Sequence, residues 1–134
     1  MLRNYDGLPK NNSSKDIDII IDKEKKKALN KFITKIANKH QIKIIWKSNL
    51  SYMGSFVLAT YKNSSATIIK LDFFYDTFWR GINFLNFNNL FKNTIIVNNI
   101  RCLNPQAEIA HGIIHYTLFG GKIKEKYLEK FLFQ

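Results

Sequence analysis

The sequence predicts an α+β fold, a mixed β-sheet with helices packed on one face. Three observations predict it. An isoleucine-rich strand, Asp16-Ile17-Asp18-Ile19-Ile20-Ile21-Asp22, is followed directly by a lysine-rich amphipathic helix. Two longer apolar runs, Met53 to Tyr61 and Ala66 to Tyr75, then flank a polar turn, as in a hairpin. The chain closes with two helical segments separated by Gly120-Gly121. Strand, helix and strand, then a hairpin, then helices, is an order that suits a sheet of mixed direction.

The elements follow in order. Residues 1–15 are polar and turn-rich, with Gly7, Pro9 and Asn11-Asn12-Ser13-Ser14, and read as a loop. Residues 16–22 form the first strand. Side chains alternate faces along a strand, so Asp16 and Asp18 share one side and Ile17, Ile19 and Ile21 the other. From Lys25 to His40, Ala28, Leu29, Phe32, Ile33, Ile36 and Ala37 recur at helical spacing and form one apolar stripe. That stripe is expected to pack on the isoleucine face.

Ile42 to Lys47 reads as a second strand, and the hairpin supplies the third and fourth. Residues 76–93 are aromatic and Asn-rich, and read as a loop with a short helix near Asn88–Lys92. Thr94–Val97 and Ile100–Leu103 are short strands turned by Asn98-Asn99. Asn104 caps a helix that has Pro105 at its first position and runs to Phe119. A last helix covers about Lys122 to Phe133. Trp46, Trp79 and the phenylalanines are expected in the core.

The 134 residues suit one domain, and no repeat or internal boundary is visible. A domain of this length buries roughly two-thirds of its unfolded surface and needs no disulfide or metal staple. Cys102 is the lone cysteine, so no internal disulfide forms. Met1 to Asp6 lacks the apolar core of a signal peptide, and no apolar run is long enough to span a membrane. The expected location is the cytoplasm.

The formal net charge is +11, and lysine dominates it, since arginine occurs only as Arg3, Arg80 and Arg101. Such a surplus attracts phosphates, nucleic acids or anionic membranes. Abundant Lys, Asn, Ile and Phe is also what an AT-rich genome encodes. Arginine, the better reader of bases, is scarce. Nucleic acid is therefore the less favoured partner, and a small polyphosphate such as a nucleotide the more favoured one.

The chemistry centres on acids. By the parity of the fourth strand Ile68, Lys70, Asp72, Phe74 and Asp76 share a face. If that strand neighbours the first, Asp72 joins Asp16 and Asp18. Three convergent carboxylates suit one or two Mg²⁺ or Mn²⁺ ions, which favour carboxylate oxygens together with substrate phosphates. Asp72 would also accept the proton of an attacking hydroxyl.

His111 and His115 lie four apart on one helix face, with Glu108 a turn earlier. That is metal-ligand spacing without the further ligands of a zinc site. Packing or surface histidines are the plainer reading, and substrate contact is a third. Arg80 is either a phosphate contact or a structural ion pair. Lys122, Lys124 and Lys126 either meet phosphates or form a solvated face paired with Glu125 and Glu129.

Asp16-Ile17-Asp18 on a strand, the helix after it and a later strand carrying Asp72 resemble the polymerase-β-type nucleotidyltransferase superfamily. Several segments are similar, more narrowly, to an uncharacterised bacterial nucleotidyltransferase family often met among surface-polysaccharide genes. They are Leu2-Arg3-Asn4-Tyr5-Asp6-Gly7-Leu8-Pro9, Asp16-Ile17-Asp18-Ile19-Ile20-Ile21, Leu71-Asp72-Phe73-Phe74, Trp79-Arg80-Gly81 and Gly120-Gly121-Lys122-Ile123-Lys124-Glu125-Lys126-Tyr127.

The resemblance implies that Asp16, Asp18 and Asp72 hold metal, that Asp72 assists deprotonation, and that a nucleoside triphosphate is the donor. The acceptor stays open. The superfamily usually grips the triphosphate with a Gly-Ser turn roughly ten residues before the paired aspartates, through backbone N–H groups. This chain has Gly7-Leu8 and Ser13-Ser14 in that region. Nucleotide contacts then fall to Arg3, Gly7, Ser14, Arg80 and Lys122. The chain also begins where relatives have a preceding helix and strand. The alternative function is a catalytically degenerate member of the same fold that binds a nucleotide or a partner. A salt-dependent nucleic-acid module and a sugar-nucleotide glycosyltransferase are further alternatives, the latter short of residues for two sites.

Overall fold

The computed structural model describes residues 16–62, 64–75, 77–123 and 125–132. Four strands form one mixed sheet in the order β1-β4-β3-β2. They are β1 (Asp16–Ile20), β2 (Lys43–Asn49), β3 (Met53–Lys62) and β4 (Ser65–Phe74). β1 runs parallel to β4, while β4, β3 and β2 pair antiparallel. The chain is therefore α+β with a mixed sheet, as its sequence predicts.

β1 ends earlier than the isoleucine run suggests, because Asp22 leaves the strand to cap a single 3-10 turn at Lys23–Lys25. Its carboxylate accepts from the Glu24 N–H at 2.9 Å. Helix α1 (Lys26–Lys39) follows and buries Ile33 and Ala37. Ile33 meets Phe56, Leu58, Phe73 and Tyr75, with Leu29, Ile19 and Leu71 around them. This is the expected packing of the stripe on the isoleucine face, and it is the main core.

Helices on one face alone is not what forms. Helix α2 (Phe87–Lys92), strands β7 (Thr94–Val97) and β8 (Ile100–Leu103), and helix α3 (Pro105–Leu118) follow the sheet. Leu90 of α2, Leu103 of β8 and Ala107 of α3 pack with Ile20 and Phe74. Those two residues lie on the carboxylate side of β1 and β4 by strand parity. The apolar ends of that side need cover, and a second layer of helix supplies it. A last helix, α4 (Glu125–Leu132), contacts α3.

The segment read as loop at 76–93 contains a small hairpin, β5 (Thr77–Trp79) and β6 (Ile82–Leu85). Arg80 and Gly81 turn it with φ of 48° and 85°. Two central residues at positive φ match the right-handed twist of paired strands. The strands are too short for alternation to show. Thr77 closes the hairpin by donating its hydroxyl to the Leu85 carbonyl and accepting from the Leu85 N–H. The β7–β8 turn uses the same device, with Asn98 and Asn99 at 49° and 63°.

The Asn104 cap forms as the sequence predicts, and Asn86 caps the short helix in the same way. Asn86 accepts from the Asn89 N–H, and Asn104 from the Ala107 N–H, both at 2.8 Å. Trp46 is not core, being half exposed on the edge strand β2, beside a register shift between Ile44 and Trp46. Tyr75 seals the end of the main core and lies beneath the Lys26 ammonium, 4.6 Å from the ring centre. Burial pushes its phenol above the ordinary value of 10.0, so it stays neutral. No described helix is long and apolar enough to cross a membrane.

Candidate metal centre

Register builds the site. In the parallel pair, Asp18 of β1 stands opposite Asp72 of β4, and Asp16 stands opposite Lys70. On the other flank of β4, Ser55 of β3 stands opposite Asp72. Side chains at paired positions project from the same face of a sheet. Three carboxylates thus meet on adjacent strands, and their nearest oxygens all lie within 4.8 Å of one another. The neighbour relation assumed between the first and fourth strands is the one that forms.

Asp18 and Asp72 are buried, and Asp16 is half-buried. Like charges this close repel by roughly 3 kcal/mol per pair at an effective dielectric near 20. Burial of a carboxylate adds to that cost unless donors or cations face it. Asp72 has two such donors. Ser55 Oγ donates to its Oδ1 at 2.6 Å, and Lys70 Nζ to its Oδ2 at 2.8 Å. Together they engage both carboxylate oxygens of Asp72.

The donor set is all oxygen. An all-oxygen set at this spacing can hold a hard metal ion, which takes carboxylates together with water. It does not resemble the sulfur and imidazole set of a structural zinc.

The carboxylates open into a cavity of about 280 Å³. Its walls include Tyr52, Met53, Phe74, Thr77 and Phe84, and from α3 His111, His115 and Phe119. A larger groove of about 750 Å³ runs between α1 and the α2–β7–β8 segment, lined mainly by aliphatic and phenyl side chains such as Leu29, Phe32, Leu90 and Phe91. Its size does not make it the reactive site, since the clustered carboxylates are in the smaller cavity.

The other expected contacts fall as follows. Arg80 is exposed in the β5–β6 turn, and Lys122 is exposed between α3 and α4. Neither lines the carboxylate cavity. Arg3, Gly7 and Ser14 lie outside the described residues. Two participants, Ser55 and Lys70, carry no motif that marks them in the sequence. Ser55 is a small polar residue within an apolar strand, and its parity with Met53 and Val57 was the available signal. Lys70 shares the acid face of β4 by the same parity.

Ser55→Ala leaves one oxygen of a buried carboxylate without this donor, a loss of about 1–3 kcal/mol. Urea unfolding of the metal-free variant should show it, and a divalent cation should narrow the gap by taking up the same oxygen. A variant as stable as wild type in the absence of metal would remove Ser55 from the site.

No protein-family model, curated protein or solved structure matches the chain.

Proposed function

We propose that the chain is a metal-dependent nucleotidyltransferase of the polymerase-β type, using Mg²⁺ or Mn²⁺ and a nucleoside triphosphate. The observation that supports it most is the convergence of Asp16, Asp18 and Asp72 from two parallel neighbouring strands. A strand-borne acid pair plus a third acid on the adjoining strand is the arrangement this chemistry uses. The resemblance of the surrounding segments supports the same reading, as does the basic charge of the chain.

In this proposal Asp16 and Asp18 bind the cation, and Asp72 completes the ligand set, held in place by Ser55 and Lys70. A divalent ion there supplies Lewis-acid polarisation of phosphate oxygens and neutralises their charge. An acceptor oxygen attacks the α-phosphorus of the triphosphate. The bond from that phosphorus to the bridging oxygen breaks, and pyrophosphate leaves with the electron pair. The proton of the attacking hydroxyl passes to the Asp72 carboxylate. A phosphate acceptor attacks without that proton transfer. The donor is a cytoplasmic metabolite, and the proposal has the protein act in that compartment, with surface-polysaccharide synthesis as the pathway suggested by the resemblance.

The test is release of pyrophosphate from a panel of nucleoside triphosphates with Mg²⁺ or Mn²⁺, across sugar, phosphosugar and protein acceptors. Wild type should turn over at least one combination, and Asp16→Asn none. Metal and nucleotide binding without turnover anywhere in the panel would overturn catalysis and favour the non-catalytic reading, which the absence of a Gly-Ser pair ahead of Asp16 also supports.

A further inference from the structure

The wall opposite the carboxylates carries chemistry that the proposed mechanism does not yet use. His111 and His115 sit one helical turn apart on α3, and both line the carboxylate cavity. His111 is only 3% exposed. The two rings are stacked, with centroids 5.9 Å apart and planes 23° apart. Phe119 continues the ladder on the next turn, 4.6 Å from His115 and 27° from parallel.

We propose that His111 and His115 are the phosphate-contacting wall of this cavity, donating to oxygens of the triphosphate that the cation carries. This inference rests on the nucleotidyltransferase reading.

Among the described residues, the set of ligand atoms lying within 4.8 Å of one another contains the three acids and no imidazole. The cation is thus assigned to the acids, and the histidines line the same cavity beside it.

Ionised carboxylates only accept, and the Lys70 and Ser55 donors are directed at Asp72. A phosphate also only accepts, so its oxygens need N–H groups from another wall. Imidazole N–H provides them, and a charged imidazolium strengthens the bond.

The cavity of about 280 Å³ is at the small end of ligand sites. It suits a phosphate chain next to its metal, with the nucleoside outside. The Phe119 stack on His115 restrains that ring, so the donor is positioned before the ligand arrives.

The experiment uses Mn²⁺ alone and then inorganic tripolyphosphate with Mn²⁺, titrated into the full chain by calorimetry. His115→Phe keeps the stack on Phe119 and removes the N–H. It should bind Mn²⁺ within about two-fold of wild type and lose about ten-fold in tripolyphosphate affinity, the worth of one charge-assisted hydrogen bond. His115→Gln, which retains a donor, should recover part of the loss. His111→Phe should repeat the effect; should it fail to fold, the partly exposed His115 carries the test.

Tripolyphosphate binding unchanged in His115→Phe would overturn the inference, and so would a parallel loss of Mn²⁺. Failure of wild type to bind Mn²⁺ would instead overturn the nucleotidyltransferase reading beneath it. Wild type that binds Mn²⁺ and no tripolyphosphate would overturn the inference, while the nucleotidyltransferase reading stands or falls on pyrophosphate release from nucleoside triphosphates.

Discussion

Asp18→Asn should abolish stabilisation of the protein by divalent cations. Asp18 is 3% exposed and is the cross-strand partner of Asp72. Asparagine keeps its shape and removes the charge, so the change tests the electrostatics with little repacking. A cation at about one hundred times its dissociation constant stabilises the folded state by about 2.7 kcal/mol. For a chain of this length that is a rise of about 10 °C in Tm. Wild type should show such a rise with Mn²⁺ or Mg²⁺ and lose it on chelation with EDTA. Asp18→Asn should show a shift of less than about 1 °C under the same conditions.

The same substitution relieves repulsion across the β1–β4 pair. The metal-free variant should therefore melt no lower than metal-free wild type. Asp16→Asn should weaken metal binding less, because Asp16 is half-buried and sits opposite Lys70 instead of a second acid. An equal metal-induced rise in wild type and Asp18→Asn would show that the carboxylates are not the binding site.

The acid face could be read from the chain because strand parity is a local property. Asp16, Asp18 and Asp72 each declare a side once their strands are recognised, and the long strands β3 and β4 are recognisable from composition alone. Whether β1 lies beside β4 is a different matter. That pairing spans the whole of α1, β2 and β3, and no short-range pattern encodes it. The helix start at Asn104 is legible because a capping side chain acts within three residues, whereas the cap at Asn86 is seen only in the structure.

What stayed hidden depends on neighbours. The β5–β6 hairpin was missed because strands of three and four residues show no alternation, and its Arg80-Gly81 turn is not one of the common turn pairs. Ser55 became part of the site only through register, since its distance in sequence from Asp72 is 17 residues. The two-sided helical cover was also invisible, because Ile20 and Phe74 need cover only once β1 and β4 end together. His111 and His115 had the right spacing to share a face, yet only the fold shows that this face meets the acids.

Phe56→Ala should produce the largest loss of stability, about 3–5 kcal/mol. Phe56 is 2% exposed on β3, edge-on to Phe73 at 5.9 Å and 86°, and Ile33 of α1 belongs to the same cluster. Truncation there leaves a cavity between α1 and the sheet that neither can close without moving the other. Phe56→Leu, which refills most of the space, should lose about 1–2 kcal/mol. Urea unfolding monitored by circular dichroism measures both, and a loss under about 1 kcal/mol for Phe56→Ala would mean that the core is not centred here. Phe56 also adjoins Ser55, which projects from the opposite face of the same strand to hold Asp72. The two substitutions therefore separate scaffold from site. Phe56→Ala should lower the metal-free and metal-bound melting temperatures together and leave the increment between them largely intact. Asp18→Asn should remove the increment and leave the metal-free value in place. If Phe56→Ala also erased the increment while the protein remained folded, the position of β3 against β4 would be set by this core, and metal binding would depend on the packing of α1.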